Sequence, residues 1–296
     1  MTMLSAIKRT FNFIIKHPLA KRHKYRSFYR FVSWQLSSSM STGLTAVPFV
    51  EHTKFWAKKK LTGVTGNIYT GLHEFEDMAF VIHLLQKDDV FFDVGANVGS
   101  YTILASGLKE AKTIAFEPVQ NAFEILLANI ELNKLQQMVK CEQMAVGSKK
   151  EVLFFTNDED TTNHCVENAS ANTTTVQAIH LDHYYPELCP ILLKIDVEGF
   201  ETEVIKGASN ILASTNLKAI VIELNGSGDR YGYDDADIHQ QLLSLGFLPY
   251  LYDPFQRKLN PKNHFNGFNT IYVRDIDFVS ARLSSAKPFV IFNEKI

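Results

Sequence analysis

The chain has 296 residues, of which 46% are hydrophobic and 21% are charged, and this is the composition of a globular protein with a sizeable core. The formal net charge of −2 conceals an asymmetry: residues 1–60 carry twelve Lys and Arg and one acid, a net +11, and the other residues carry −13. Three widely spaced cysteines argue against a disulfide framework and a zinc site. The apolar run at 11–15 is too short for a signal peptide or a membrane span, so we expect a cytoplasmic protein.

Residues 1–60 form a basic segment that is predicted to be a separate helical extension. Apolar residues at helical spacing predict an amphipathic helix that ends before Pro18, and a second helix is predicted at 25–36. A charge of +11 attracts polyanions. Two interpretations stay open: the segment binds an anionic surface at the inner face of the membrane, an acidic glycan or an acidic partner, or it packs on the acidic body of the same chain.

From residue 61 onward the chain reads as a helix at 74–85 followed by alternating strands and helices. This alternation predicts an α/β fold with a mostly parallel sheet that is covered by helices on both faces. A polar stretch at 156–175 is predicted to be a long loop that shapes the acceptor pocket. The predicted strands are 90–94, 113–116, 139–146, 152–155, 175–179, 191–195, 219–224, 247–252 and 270–273.

The run D-V-G-A-N-V-G at 93–99 lies where the first of these strands should turn into a helix. Glycines at the carboxyl end of a parallel strand let the backbone approach a ligand closely, and an acid about 20 residues further on is suited to ribose hydroxyls. Glu117 meets that spacing. The third glycine of a dinucleotide loop is absent, which favours a nucleoside cofactor without a pyrophosphate. A bare structural turn remains the alternative.

Several motifs in the same order resemble those of the FkbM-type methyltransferases. They are D-V-G-A-N-V-G-S-Y-T at 93–102, F-E-P at 116–118, L-D-H-Y at 181–184, L-K-I-D-V-E-G-F-E at 193–201 and V-I-E-L-N at 221–225. The resemblance covers about residues 68–275. It implies a class I methyltransferase fold, a Rossmann-like three-layer sandwich whose seven-stranded sheet has an antiparallel last strand. We therefore divide the chain into a basic extension (1–60), a methyltransferase domain (61–275) and a C-terminal tail (276–296).

The resemblance also implies S-adenosylmethionine as the methyl donor and a hydroxyl of a sugar or a complex natural product as the acceptor. It assigns the cofactor positions to Asp93, Gly95, Asn97, Gly99 and Glu117. An NAD(P)-dependent oxidoreductase is the alternative enzyme, and a binding module without turnover is the non-enzymatic alternative. Nucleic acid is not expected as a substrate, because the catalytic body is acidic and would repel phosphates.

Three acids are the candidates for the chemistry: Asp196 and Glu198 after one strand, and Glu223 at the end of the next. A general base helps a hydroxyl to attack a methyl group, and Asp196 is the first choice for that role. Asp196 could instead bind only the amino group of the cofactor, and Glu198 could cap the following helix. Three carboxylates together would suit Mg²⁺, but the sequence alone does not predict a metal.

Overall fold

The computed structural model of the chain describes residues 3–40, 43–59, 61–156, 164–166, 172–265 and 267–296. Part of the predicted 156–175 loop lies outside these residues. A short helix after the first parallel strand continues as a π-helical stretch, Ile103–Leu108. The α-helices are α1 (Met3–Lys16), α2 (Lys24–Met40), α3 (Thr62–Thr70), α4 (Phe75–Leu84), α5 (Ser100–Thr102), α6 (Gln120–Leu132), α7 (Glu201–Lys206), α8 (Ser209–Ala213), α9 (Asp235–Ser244) and α10 (Ile276–Ser285).

The strands form one large sheet and three smaller ones. Two of the smaller sheets are hairpins, and the third has four strands in the order β6-β9-β7-β8. The strands are β1 (Thr45–Pro48), β2 (Lys54–Ala57), β3 (Val90–Val94), β4 (Lys112–Phe116), β5 (Val139–Glu142), β6 (Ala145–Val146), β7 (Glu151–Thr156), β8 (Cys165–Val166), β9 (Thr173–Ile179), β10 (Leu192–Ile195), β11 (Ala219–Glu223), β12 (Leu248–Asp253), β13 (Lys258–Pro261), β14 (Asn269–Val273), β15 (Val290–Ile291) and β16 (Glu294–Lys295).

The large sheet has the strand order β13-β12-β14-β11-β10-β3-β4-β5. Strands β5, β4, β3, β10 and β11 are parallel, and β14 runs antiparallel between β11 and β12. The carboxyl ends of β3, β10 and β11 therefore lie side by side, with Val94 opposite Ile195 and Ile195 opposite Ile222. This arrangement confirms the predicted class I methyltransferase fold, in which ligands bind at that edge of the sheet.

The central strands are apolar on both faces because helices cover both sides of the sheet. In β3 the side chains of Phe91 and Phe92 are fully buried, and they belong to the cores on opposite faces. Alternate residues of a strand point to opposite faces, so a continuous apolar run is what a doubly covered strand requires. Burying the two phenyl rings stabilises the fold by about 3–6 kcal/mol.

Several features of the sheets differ from the sequence prediction, among them the hairpin of β1 and β2 in the segment predicted to be helical and strand β8 in the predicted loop 156–175. The large sheet has an eighth strand, β13, which forms an edge hairpin with β12 and has mostly exposed residues, so it lacks the apolar pattern of a buried strand. The turn before it is closed by Asp253, whose Oδ1 accepts hydrogen bonds from the amides of Phe255 and Gln256. The predicted strand 139–146 is wrong as one element, because β5 pairs with β4 in the large sheet and β6 pairs with β9 in the four-stranded sheet.

The basic segment packs on the rest of the chain. Ile14 and Leu19 are fully buried in the same core as Phe91. The buried His17 donates from Nε2 to the carbonyl of Leu72 over 2.7 Å, and its burial lowers its pKa to about 4. Arg22 forms an ion pair of 2.5 Å with Glu294 near the end of the chain. The basic segment and the tail thus meet, and the division at residues 60 and 275 stays a prediction.

Candidate functional site

The loop at 95–99 joins β3 to α5 and has three residues with positive φ angles. These are Gly95 (80°), Asn97 (51°) and Gly99 (88°). The amides of Gly95 and Ala96 donate to the carbonyl of Phe116 at the end of β4. A Cβ atom on Gly95 would lie 1.8 Å from the carbonyl oxygen of Asp196, so the loops after β3 and β10 touch at this glycine. Glycine is required here both by its backbone conformation and by this close approach.

Glu117 ties the same loop to the end of β4. Its Oε2 accepts a hydrogen bond from the amide of Asn97, its Oε1 accepts one from the amide of Val119, and both are 2.8 Å long. The carboxyl group is buried, and burial raises its pKa to about 7 although the two amides favour the charged form. Glu117 therefore shapes the loop as well as lining the cavity beside it.

Asp93 is the last polar residue of β3 and lies under the loop. Its side chain is buried, and the hydroxyl of Thr102 donates to its Oδ2 over 2.6 Å. Burial raises the pKa of Asp93 to about 6, and the hydrogen bond from Thr102 opposes that shift. A cationic ligand group beside Asp93 would favour its charged form.

Three acids predicted from the sequence meet at the ends of β10 and β11. Asp196, Glu198 and Glu223 each offer a carboxylate oxygen, and these oxygens all lie within 4.8 Å of one another. Such a set of oxygens could hold a hard cation. The nearby ammonium of Lys194 donates to Oδ2 of Asp196 over 2.9 Å, so a protein cation already balances part of the charge.

Lys194 is a fully buried cation in this cluster, with its side chain 2% exposed. Burial alone would lower the pKa of its ammonium, but the charges of Asp196 and Glu74 outweigh that effect and hold the pKa above its ordinary value. The ammonium also lies 5.1 Å from the centre of the Tyr101 ring. Lys194 therefore stays charged and fixes the position of the Asp196 carboxylate.

The carboxyl of Glu223 lies beside that of Asp196 at the ends of β10 and β11. Burial and the charge of Asp196 raise the pKa of Glu223 to about 9. Two carboxyl groups at this distance avoid the doubly charged state by sharing one proton. Near neutral pH Glu223 consequently keeps its proton.

This shift has a consequence for stability that the variant Glu223→Gln tests. In the unfolded chain the carboxyl titrates near 4.5, and in the folded chain it titrates at about 9. Between these values the unfolded chain has released a proton that the folded chain keeps. Glu223 should therefore make the free energy of unfolding fall as the pH rises, and its own contribution is at most about 1.4 kcal/mol per pH unit.

Urea denaturation across that pH range measures the slope, and Glu223→Gln should flatten it because the amide does not titrate. Asp229→Asn, which changes an exposed acid outside the cavity, is the matched control and should keep the slope of the unchanged chain. The same slope in the Glu223→Gln variant would contradict the assignment.

The turn after Glu198 is held by another acid that the sequence analysis did not single out. The buried Glu201, at the start of α7, accepts hydrogen bonds at Oε1 from the amides of Val197 and Gly199. Glu198 itself has a φ of 55° and lines the cavity. The capping contacts of this turn are thus made by Glu201, and Glu198 faces the cavity with Asp196.

Glu74, Tyr101 and Asn269 complete the cluster, and sequence reasoning missed all three. Glu74 accepts from the hydroxyl of Tyr101 over 2.8 Å and from the amide of Asn269 over 2.6 Å. Asn269 also contacts Lys194, whose Nζ lies 3.4 Å from its Oδ1. Glu74 directly precedes α4, Tyr101 lies in α5 and Asn269 lies in β14, and no local pattern in the sequence joins them.

The cavity has a volume of about 320 Å³ and gathers nearly every predicted site residue. Gly99 is the exception: it ends the loop behind the cavity, where a Cβ atom would meet the side chain of Leu126 at 2.6 Å. The predicted residues that line the cavity are Asp93, Gly95, Asn97, Glu117, Asp196, Glu198 and Glu223.

Comparison with known proteins identifies the family. A profile of the methyltransferase FkbM domain matches residues 93–249. The hexuronic acid methyltransferase AglP of Haloferax volcanii is 26% identical over 200 residues, which are 64% of this chain and 80% of that protein. The methyltransferase sdnD of Sordaria araneosa is 28% identical over 169 residues, which are 45% of this chain and 65% of that protein.

A solved structure with a similar fold is an rRNA methylase from Streptococcus thermophilus. It is 15% identical, the match covers 67% of this chain and 93% of that one, and the TM-score is 0.40. The profile match spans more than half of the chain and contains the loop, the second acid and the carboxylate cluster. It decides against the oxidoreductase alternative: the chain belongs to the FkbM methyltransferase family.

Proposed function

We propose that this chain transfers a methyl group from S-adenosylmethionine to a hydroxyl oxygen of a sugar or glycoconjugate. The observation that carries the proposal is that the glycine loop with Glu117 and the carboxylates of Asp196, Glu198 and Glu223 line one cavity. The family supports the methyl donor, and the name of the Haloferax relative supports a saccharide acceptor.

The residues of the cavity fit this donor chemically. When bound, S-adenosylmethionine supplies an electrophilic methyl group on a positively charged sulfur. A volume of about 320 Å³ suits part of a ligand of that size, and the loop backbone near Gly95 would contact it closely. Glu117 would accept hydrogen bonds from ribose hydroxyls, and Asp93 would attract the amino group.

Asp196 is the proposed general base. Its carboxylate accepts the proton of the acceptor hydroxyl while the oxygen forms its bond to the methyl carbon and the bond from that carbon to sulfur breaks. Lys194 holds the carboxylate in place through the 2.9 Å hydrogen bond, and the protonated Glu223 beside it limits the negative charge before the reaction. The chain thus provides alignment and a proton acceptor, which together account for most catalysis of this type.

The charges around the proposed acceptor end also bear on the substrate class. Glu74, Asp196 and Glu198 line it beside the protonated Glu223, and Lys194 is already paired with Asp196. An acceptor carboxylate would be repelled there, whereas a neutral hydroxyl or an ammonium would not. We therefore expect neutral sugars or amino sugars to be better acceptors than uronic acids, unlike the acceptor class in the name of the Haloferax relative.

Mass spectrometry of saccharides incubated with the protein and methyl-deuterated S-adenosylmethionine tests the proposal. The substrates are matched neutral sugars, amino sugars and uronic acids. Neutral sugars and amino sugars should gain one labelled methyl ether, and uronic acids should yield about tenfold less labelled product. Turnover should be unchanged by EDTA, because Asp196 acts as a base without a metal. Loss of turnover that Mg²⁺ restores would assign the three carboxylates to a cation instead, and no label in any class would contradict the proposed function.

A further inference from the structure

Helix α2 has apolar side chains on two opposite faces. One face turns inward, where Trp34 is buried and Phe31 packs on the core. The opposite face, which we call the α2 outer face, consists of Tyr25, Tyr29, Val32, Leu36 and Met40. Their spacing of four, three, four and four residues places them on one stripe, about 22 Å long.

The apolar side chains of the α2 outer face are unusually exposed. The exposed fractions run from 52% for Val32 to 93% for Tyr25. A surface helix of a globular protein is normally polar on the side away from the core, and one that is apolar on both sides has two apolar neighbours. A contiguous exposed apolar patch of this kind marks an interaction surface.

Helix α1 extends this surface. Phe11 and Ile15 are exposed and lie four residues apart, on one side of that helix. The ring of Phe11 lies 4.5 Å from the ring of Phe28 in α2, which fixes the two helices against each other. The exposed apolar surface therefore spans both helices of the basic segment.

The charge around this surface is positive. Residues 1–50 contain eight Lys and Arg and no Asp or Glu. Lys16 at the end of α1 and Lys24 and Arg26 at the start of α2 are exposed. Arg22 pairs with Glu294, and Arg30 lies over the ring of Phe292, so these two also hold the segment on the body.

We propose that the α2 outer face and its flanking basic residues dock on the surface of an anionic lipid bilayer. A helix of this composition, with an apolar stripe, tyrosines and Lys or Arg beside it, lies in the headgroup region with its apolar face towards the acyl chains. Basic residues next to the stripe are attracted by anionic headgroups. Among the described residues no helix is long and apolar enough to cross a bilayer, so this is attachment from one side.

A second copy of the chain would match the charge, because residues 61–296 carry a net −13, but it offers a poorer apolar match. In the described part of the body, the exposed large apolar side chains are scattered over separate elements, for example Leu127 in α6, Val152 in β7 and Leu251 in β12. A bilayer needs no complementary groove, which favours it over a protein partner.

The docking surface lies close to the proposed active site. Helix α3 packs against α2, and the side-chain amide of Gln35 donates to the hydroxyl of Tyr69 over 3.0 Å. The same helix lines the cavity with Gly63 and Asn67. Helices α2 and α3 therefore lie between the bilayer-facing surface and the cavity.

Flotation of the full chain with vesicles of phosphatidylcholine and phosphatidylglycerol tests the proposal, with vesicles of phosphatidylcholine alone as the reference. The full chain should bind the anionic vesicles, and added salt should weaken binding. The triple variant Tyr29→Gln, Val32→Gln and Leu36→Gln should lower the partition coefficient on the order of 100-fold, because three half-exposed apolar side chains no longer insert. Lys24→Glu with Arg26→Glu should lower it at least about tenfold on anionic vesicles.

The matched control is the triple variant Leu127→Gln, Leu248→Gln and Leu251→Gln, which removes three exposed apolar side chains from the body and should keep full binding. No binding of the unchanged chain to anionic vesicles, or an equal loss in the control, would overturn the proposal. A concentration-dependent dimer that the α2 triple variant abolishes would assign the face to a second copy instead. Methyl transfer to a soluble acceptor should be the same in both triple variants, so this test is independent of the proposed activity.

Discussion

Replacing Asp196 by Asn is expected to lower turnover by about 10²- to 10⁴-fold, because the amide cannot accept the proton of the acceptor hydroxyl. The substitution preserves the size of the side chain, and its carbonyl oxygen can still accept the hydrogen bond that Lys194 donates to Asp196. The dissociation constant of S-adenosylhomocysteine, measured by calorimetry, should change by less than about threefold. A large effect on turnover with a small effect on binding separates a base from a binding residue.

Glu142→Gln is the matched control, since Glu142 also lies at the carboxyl end of a parallel strand but outside the cavity. It should keep turnover within about twofold of the unchanged chain. If Asp196→Asn leaves turnover unchanged, the catalytic assignment is wrong. If turnover and cofactor affinity fall together, Asp196 holds the amino group of the cofactor, and Glu198 or Glu223 becomes the candidate base.

The part of the site that the sequence predicts well is local in the chain. The strand at 90–94 was predicted at the observed bounds, because a doubly covered strand must be apolar on both faces and a glycine loop must follow it. Glu117 was predicted from its distance along the chain to that loop. Both follow from short-range rules, since a β-strand, a turn and a helix place their ends at a known spacing.

The part of the site that the sequence does not predict depends on contacts between segments that are far apart in the chain. The sequence predicts that Glu74 starts a helix, and only the fold places it in contact with Asn269, which is 195 residues away in the chain. The sequence does not predict the role of Lys194 for the same reason, because a Lys in a predicted strand does not reveal that its ammonium is buried among carboxylates. Strand β13 was missed because an edge strand with exposed residues lacks the alternation that predicts a strand.

For the basic segment, the sequence predicts the helices but not the surfaces that they pack against. The helical spacing predicted α1 and α2, and the structure extends α2 by four residues beyond 36. The sequence left open whether the segment packs on the body, because periodicity shows that a helix has an apolar face but not what covers it. In the structure Ile14 and Trp34 face the core and Tyr25 and Leu36 face outward, and only that distinction isolates the surface that lacks a neighbour.

Replacing Gly95 by Ala is expected to damage both stability and cofactor binding, and Gly226→Ala provides a matched control. The two glycines have nearly the same positive φ angle, 80° and 81°. A Cβ atom on Gly226 meets nothing within 4 Å, whereas one on Gly95 would lie 1.8 Å from the carbonyl oxygen of Asp196. The pair therefore separates the cost of the backbone conformation from the cost of the contact.

Gly226→Ala should lower the free energy of unfolding by about 1 kcal/mol, which is the cost of a positive φ for an L-residue. Gly95→Ala should lower it by about 2–5 kcal/mol, because the loops after β3 and β10 must also move apart. That movement shifts the loop amides and Asp196, so the affinity for S-adenosylhomocysteine should fall at least about 100-fold in this variant alone. Urea denaturation and calorimetry measure the two effects, and equal losses in the two variants would show that the contact between the loops does not shape the cofactor site.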